Sequence, residues 1–159
     1  MELYILRHGI AEDGHAGQSD AERALTPEGK KKLRATLRVA RDAGLNPSLI
    51  MTSPLRRAVQ TAQIAAEVLG YKRELLRTKA LIPSSTPRTV WEEVRVHKDE
   101  SQILLSGHEP LFSGLAAFLL GCPSLQIDFK KGAVMRVDLD RFTAESHGVL
   151  KWMLVPKLA

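Results

Sequence analysis

Apolar and polar positions alternate along this chain in short blocks, and each block has a readable period. Residues 3–6 (Leu-Tyr-Ile-Leu) form an apolar run that stops at Arg7-His8-Gly9, the pattern of a buried strand ending in a loop. Residues 10–25 are polar, with Gly14, Gly17 and several carboxylates, and predict a loop. Thr26-Pro27-Glu28 starts a helix, with Thr26 as N-cap and Pro27 at the first helical position. Leu33, Leu37 and Ala40 share one face of that helix, and Gly44 ends it. Residues 49–52 predict a second strand, and Ser53-Pro54 the opening of a second helix that runs to about Leu69 and stops at Gly70. A third strand is expected around residues 74–76. Thr86-Pro87 starts a helix with Val90, Trp91 and Val94 on one face. Residues 102–105 form a fourth strand that ends at Ser106-Gly107-His108. An apolar helix follows from Pro110 through Leu120, stopped by Gly121, and two last strands lie near 134–139 and 149–155.

Strands alternating with helices imply crossover connections and a mostly parallel sheet with helices on both faces, with at least one antiparallel strand. No repeat, low-complexity segment or linker interrupts the 159 residues, so residues 1–159 are expected to form a single three-layer α/β domain. The chain is long enough for a real core, and its apolar (44%) and charged (26%) contents are those of a globular protein. Its one cysteine, Cys122, cannot form an internal disulfide and points to a reducing compartment. The opening MELYILRHG has no basic stretch before an apolar region, and no apolar run approaches the ~20 residues of a membrane span. A soluble cytoplasmic protein without a membrane partner is expected. The net charge of +5 favours anionic partners, while an aromatic content of 5% leaves little material for stacking bases. Charge therefore points to small anions rather than to nucleic acid. The run Lys30-Lys31-Lys32 with Arg34 reads as a solvated helix face.

Ligand sites of open α/β sheets gather at the carboxyl ends of strands. The first predicted strand ends in Arg7-His8-Gly9, the second leads through Ser53-Pro54 to Arg56-Arg57, and the fourth ends in Gly107-His108-Glu109. In a parallel sheet these ends share one edge, where two arginines and two histidines can converge. Phosphoryl transfer asks for an in-line nucleophile and for cations around the equatorial oxygens. Arginine offers a planar, permanently charged fork that matches phosphate. A neutral imidazole supplies a nucleophilic nitrogen without a metal. Gly9 and Gly107 are expected to let the backbone approach closely, and Pro54 and Pro110 to fix turns into helices whose N-termini favour anions.

Four blocks in order carry a family resemblance. They are Leu6-Arg7-His8-Gly9, Leu25-Thr26-Pro27-Glu28-Gly29, the stretch from Thr52-Ser53-Pro54 through Arg56-Arg57-Ala58 to Gln60-Thr61-Ala62, and Gly107-His108-Glu109-Pro110. The chain resembles the histidine phosphatase (phosphoglycerate-mutase-like) superfamily over nearly its whole length, and its short length resembles the SixA type of protein-histidine phosphatase. The resemblance implies a phosphoglycerate-mutase-like fold and makes His8 the nucleophile, forming a phosphohistidine intermediate. It makes Arg7 and Arg57 phosphate-binding residues and His108 the second histidine that contacts the phosphoryl group. It implies no metal and no organic cofactor, a phosphate or other oxyanion in the site, and a phosphorylated protein partner such as a histidine phosphotransfer domain.

The sequence departs from family patterns in ways that bear on substrate. Ile10-Ala11 follow the Arg-His-Gly, where many relatives carry an acidic or hydroxyl residue, and the longer polar motif of the mutases is absent. Larger members place a general acid in the loop after the third strand, yet residues 77–91 contain no Asp or Glu. Glu109 and Glu12 remain open as donors. An alkoxide leaving group needs an acid in the site, whereas a phosphorylated imidazole can be protonated from solvent, since free imidazole titrates near ~6.5. A metal-independent phosphohistidine phosphatase is therefore expected. The alternatives are a small-molecule phosphomonoesterase on the same fold and a catalytically silent phosphate-binding module. Arg56 reads as structural or solvent-facing, His15, His97 and His147 as surface residues, Trp91, Trp152 and Met51 as packing, and Asp20, Glu22 and Arg23 as a solvated loop in preference to a group shaping the pocket mouth.

Overall fold

The computed structural model describes all 159 residues. Six strands form one sheet: β1 (Glu2–Arg7), β2 (Leu49–Thr52), β3 (Leu76–Arg77), β4 (Gln102–Gly107), β5 (Val134–Asp138) and β6 (Val149–Leu154). Four helices accompany them: α1 (Pro27–Asp42), α2 (Arg56–Leu69), α3 (Pro87–Val96) and α4 (Leu111–Leu119). The strand order is β3-β2-β4-β1-β5-β6. β3, β2, β4 and β1 run parallel, and β5 is antiparallel to both of its neighbours, as the strand–helix alternation predicts.

Strand side chains alternate between two apolar layers. Leu3, Ile5, Met51, Ile103 and Leu105 pack on one face against Val90, Trp91 and Val94 of α3 and Phe112, Leu115 and Leu119 of α4. Tyr4, Leu6, Ile50 and Leu104 pack on the other against Leu33, Leu37 and Ala40 of α1 and Ala62 and Ala65 of α2. Each fully buried side chain of this size stabilises the fold by about 1.5–3 kcal/mol, whereas exposed ion pairs contribute about 1 kcal/mol or less, so the two layers hold the sheet. Trp91 sits in the core with its indole N–H donating to the Thr143 carbonyl at 2.9 Å, and Met51 is buried as expected. Trp152 packs against Tyr4 across the sheet, ring centroids 5.8 Å apart.

Local signals place some boundaries correctly and miss others. Thr26 and Thr86 cap α1 and α3, accepting hydrogen bonds from Gly29 N–H (2.9 Å) and Thr89 N–H (3.2 Å). Pro54, by contrast, does not open α2. Ser53 N–H donates to Ser106 O at 3.0 Å, which prolongs the β2 ladder, and Leu55 is still extended (φ −66°, ψ 138°), so the helix begins at Arg56. Pro110 likewise precedes α4 as its N-cap. β3 begins at Leu76, where pairing with Met51 of β2 starts, and the Glu74 carbonyl accepts instead from the Tyr71 hydroxyl at 3.1 Å.

Candidate active site

The parallel register brings Arg7 beside Gly107 and Thr52 beside Ser106, so the ends of β1, β4 and β2 lie in a row. The ladder continues past the strands: His8 N–H donates to Gly107 O at 2.9 Å. His8, His108 and Ser53 therefore emerge from one sheet edge, and the first turn of α2 adds Arg57. Thr61, one turn further along α2, ties the parts together. Its hydroxyl donates to Arg57 O (2.7 Å) and accepts from Gly9 N–H (3.2 Å).

All four side chains expected in the site converge there. The His8 and His108 rings lie 5.2 Å apart, centroid to centroid, inclined at 56°. His8 Nδ1 is 2.7 Å from the Gly9 carbonyl. A carbonyl only accepts, so Nδ1 carries the ring proton and Nε2 keeps its lone pair. Arg57 Nε–H points at that Nε2 from 3.3 Å. Burial pushes the His8 imidazole down to about 4; the Gly9 bond opposes this, and the charges of Arg57, Arg7 and Lys131 reinforce it. Burial likewise pushes His108 down to about 3, helped by His8 and Arg57. Both rings are neutral at pH 7, and His8 presents an unprotonated nitrogen between cations.

His108 Nε2 lies 2.8 Å from the Ser53 hydroxyl, while its Nδ1 has no partner. Arg7 Nη1–H donates to the Phe129 carbonyl at 2.6 Å, and its Nε–H is also unpartnered. Burial pulls the Arg7 guanidinium below its ordinary value, with Glu109 and Asp128 opposing, and an arginine so shifted remains charged. Two buried polar atoms without partners, two guanidinium groups and an unprotonated imidazole nitrogen met by the Arg57 Nε–H form a set suited to a tetrahedral oxyanion. No group of three or more His, Cys, Asp or Glu side chains is arranged to hold a metal ion.

Asp20 corrects the expectation of a solvated loop. Arg57 donates through Nη1 to the Asp20 carbonyl (2.9 Å) and through Nη2 to its carboxylate (3.1 Å). The Arg57 side chain is 5% exposed and that of Asp20 is 63% exposed, so the carboxylate stands at the solvent side of a buried cation. Partial burial raises the Asp20 carboxyl, but hydrogen bonds from Arg57 and Arg23 outweigh it and hold the group below the usual carboxylate range. Close packing requires glycine at Gly107, while Gly9 stands at ordinary contact distance from its neighbours. A Cβ on Gly107 would meet the Phe112 ring at 2.6 Å, and one on Gly9 would approach Gly29 O at 3.4 Å. Ser53, Thr61 and the Phe129 carbonyl had no assigned role in the sequence, although Ser53 and Thr61 lie inside its motif blocks. Arg56 is exposed, as are His15 and His147; His97 is half-buried and away from the site. The Glu109 carboxylate accepts from Ser113 N–H at 2.7 Å and from the Ser113 hydroxyl, at the start of α4, and Glu12 is exposed.

An α/β sheet with two histidines and two arginines at its parallel edge defines the class. Residues 3–82 match the family model of the histidine phosphatase superfamily (branch 1), and the chain belongs to that superfamily. Within it, the fold is similar to that of the protein histidine phosphatase SixA, solved with tungstate: 26% identity, TM-score 0.88, covering 99% of this chain and 98% of that one. A phosphohistidine phosphatase SixA structure from Agrobacterium tumefaciens has the same fold at 20% identity and TM-score 0.83, covering 98% of this chain and 97% of that one. An uncharacterized protein of Picosynechococcus sp. (strain ATCC 27264 / PCC 7002 / PR-6) is 32% identical over 99% of this chain and 98% of its own length. No helix is long and apolar enough to cross a membrane.

Proposed function

We propose that this protein hydrolyses phosphohistidine on proteins through a covalent phospho-His8 intermediate, without a metal, and that residues 1–159 form one histidine phosphatase domain. The observation that carries this reading is the state of His8: Nδ1–H is held by the Gly9 carbonyl, and Nε2 is left unprotonated beside Arg57. In the first step the Nε2 lone pair forms an N–P bond as the bond from phosphorus to the substrate nitrogen breaks, and the departing imidazole takes a proton from solvent. In the second step water forms a bond to phosphorus, the His8 N–P bond breaks, inorganic phosphate leaves, and Nε2 regains its lone pair. Arg7, Arg57 and His108 face the equatorial oxygens, where charge accumulates.

The substrate class follows from the leaving group. Residues 77–91 carry no carboxylate, and Glu109 is engaged at the start of α4. An imidazole leaves without a strong acid in the site, and an alkoxide does not. The likeness to a SixA holding tungstate, a tetrahedral oxyanion, supports the same reading. The single free cysteine agrees with work in a reducing cytoplasm. The test is kcat/KM for a phosphohistidine protein against a panel of phosphate esters, with EDTA present. The phosphohistidine protein should lead the panel and EDTA should change nothing. An ester ahead by tenfold, ~1.4 kcal/mol in transition-state stabilisation, makes the protein a small-molecule phosphomonoesterase. Turnover of no substrate makes it a binding module.

A further inference from the structure

We propose that a lysine-lined groove opening from Arg7 is a docking surface for carboxylates that flank the phosphohistidine of the substrate protein, an inference that rests on the phosphohistidine reading above. The groove has a volume of about 640 Å³ and is bordered by Arg7, Lys32, Lys130, Lys131 and Lys157, against one carboxylate, Asp128. Asp128 pairs with Lys130 at 2.6 Å, and Lys32 pairs with Glu28 at 2.9 Å, each pair exposed to solvent. Exposed pairs of this kind exchange partners at little cost. Lys131 and Lys157 make no ion pair within the chain.

The groove is preformed. Gly132 N–H bridges to Arg7 O (3.1 Å) and His8 O (3.0 Å), and Arg7 N–H donates to Ala133 O at 3.0 Å, so the segment bearing Lys130 and Lys131 is stapled to the strand end that carries the nucleophile. Gly132 holds φ +77°, and a Cβ there would stand 3.2 Å from Pro156, beside the C-terminal turn that bears Lys157. The cations thus run outward from the phosphate-binding Arg7 on a fixed track. A histidine whose phosphoryl group lies between Arg7 and Arg57 would bring side chains that neighbour it on the substrate protein's surface over this track, which starts at Arg7. Carboxylates at those positions complete the charge match. No aromatic ring lines the groove, so it offers nothing for stacking bases.

The test compares the wild-type protein with the triple variant Lys32→Glu/Lys130→Glu/Lys157→Glu. Lys131 is left in place because its charge bears on His8. Substrates are a phosphohistidine protein with acidic neighbours, the same protein with those neighbours changed to amides, and phosphoramidate as a small N–P substrate. Reversed charges at a docking rim act on encounter and KM. The variant should lose about 10-fold in kcat/KM on the acidic phosphoprotein at low salt, mostly through KM. The loss should shrink at high ionic strength and on the amide protein, and phosphoramidate turnover should stay at the wild-type rate. Equal loss on phosphoramidate, or no loss on the acidic phosphoprotein, overturns the docking surface. So does an oligonucleotide that binds the wild type and not the variant while the phosphoprotein rate is unchanged. Failure of the wild type itself to turn over any phosphohistidine protein overturns the phosphohistidine reading, and the docking inference with it. Should the triple variant not fold, the single variants Lys157→Glu and Lys130→Glu carry the same comparison.

Discussion

The two arginines of the site have opposite surroundings. Arg57 is closed in: its Nε–H faces His8, and both of its terminal nitrogens are bonded to Asp20. Arg7 is held by a single bond to the Phe129 carbonyl, keeps an unpartnered Nε–H, and borders a groove in which lysines outnumber carboxylates. One flank balances its cation within the molecule, and the other leaves positive charge facing outward. In the proposed reaction both guanidinium groups face the phosphoryl oxygens. The difference assigns them separate second duties: Arg57 anchors the loop that carries Asp20, and Arg7 opens toward whatever bears the phosphoryl group.

The largest expected effect removes the point on which both flanks converge. His8→Ala should lower turnover by about 10,000-fold or more, because it removes the unprotonated Nε2 that stands beside Arg57. The ring is buried, donates to the Gly9 carbonyl and accepts from Arg57 Nε–H, so the fold should persist with a modestly lower thermal unfolding midpoint; a rate near wild type would remove His8 from its role. Next come the arginines. Arg7→Ala and Arg57→Ala should each lower kcat by about 100- to 1,000-fold, the range for deleting one preorganised donor to a transition-state oxyanion. Of the two variants, only Arg57→Ala should also loosen residues 14–23, read as faster amide hydrogen exchange in that loop, because Arg57, and not Arg7, bonds Asp20. Equal exchange in the two variants would erase the contrast.

Acid should weaken the shared centre. His8 and His108 are pushed down to about 4 and about 3 by burial, whereas an unfolded imidazole titrates near ~6.5. Between those values the unfolded chain binds more protons than the folded one, so stability falls as pH is lowered from about 6.5 toward 4 and is unaffected by these groups above pH 7. The loss should be on the order of 3 kcal/mol and should be smaller in His108→Gln, as denaturant titrations at pH 7 and pH 5 would show. A pH-independent midpoint over that interval would place both rings in water-like surroundings. The smallest effect concerns Asp20. Asp20→Asn keeps the carbonyl contact to Arg57 and removes the charge that competes with phosphate. Inorganic phosphate should then inhibit about 3-fold more tightly, the scale of an ion pair with one exposed partner. Weaker inhibition would make Asp20 a positioning residue for Arg57.

What the sequence made legible was local or topological. Thr26-Pro27 and Thr86-Pro87 start helices through contacts within three residues, so their patterns translate directly into caps. Parallel order brings the strand ends bearing Arg7, His8, the Arg56-Arg57 pair and His108 to one edge, and the family resemblance singles out Arg57 from the pair. Long-range contacts hid the rest. Pro54 looks like a helix opener until Ser53 is seen bonded to Ser106 on another strand. Asp20 reaches Arg57 across 37 residues, and nothing beside it in the chain marks a carboxylate aimed at a buried guanidinium. The lysine groove gathers residues from α1, the approach to β5 and the C-terminal turn, and each alone reads as a solvated surface charge.

The most direct test of the account is rapid alkaline quench of the wild-type protein during turnover of a radiolabelled phosphohistidine protein, followed by peptide mapping. Label should appear on the peptide that contains His8, stable to alkali and lost in mild acid, and should be missing from His8→Ala. A wild-type protein that releases phosphate without ever carrying label on that peptide, or whose label sits on another residue, would contradict it.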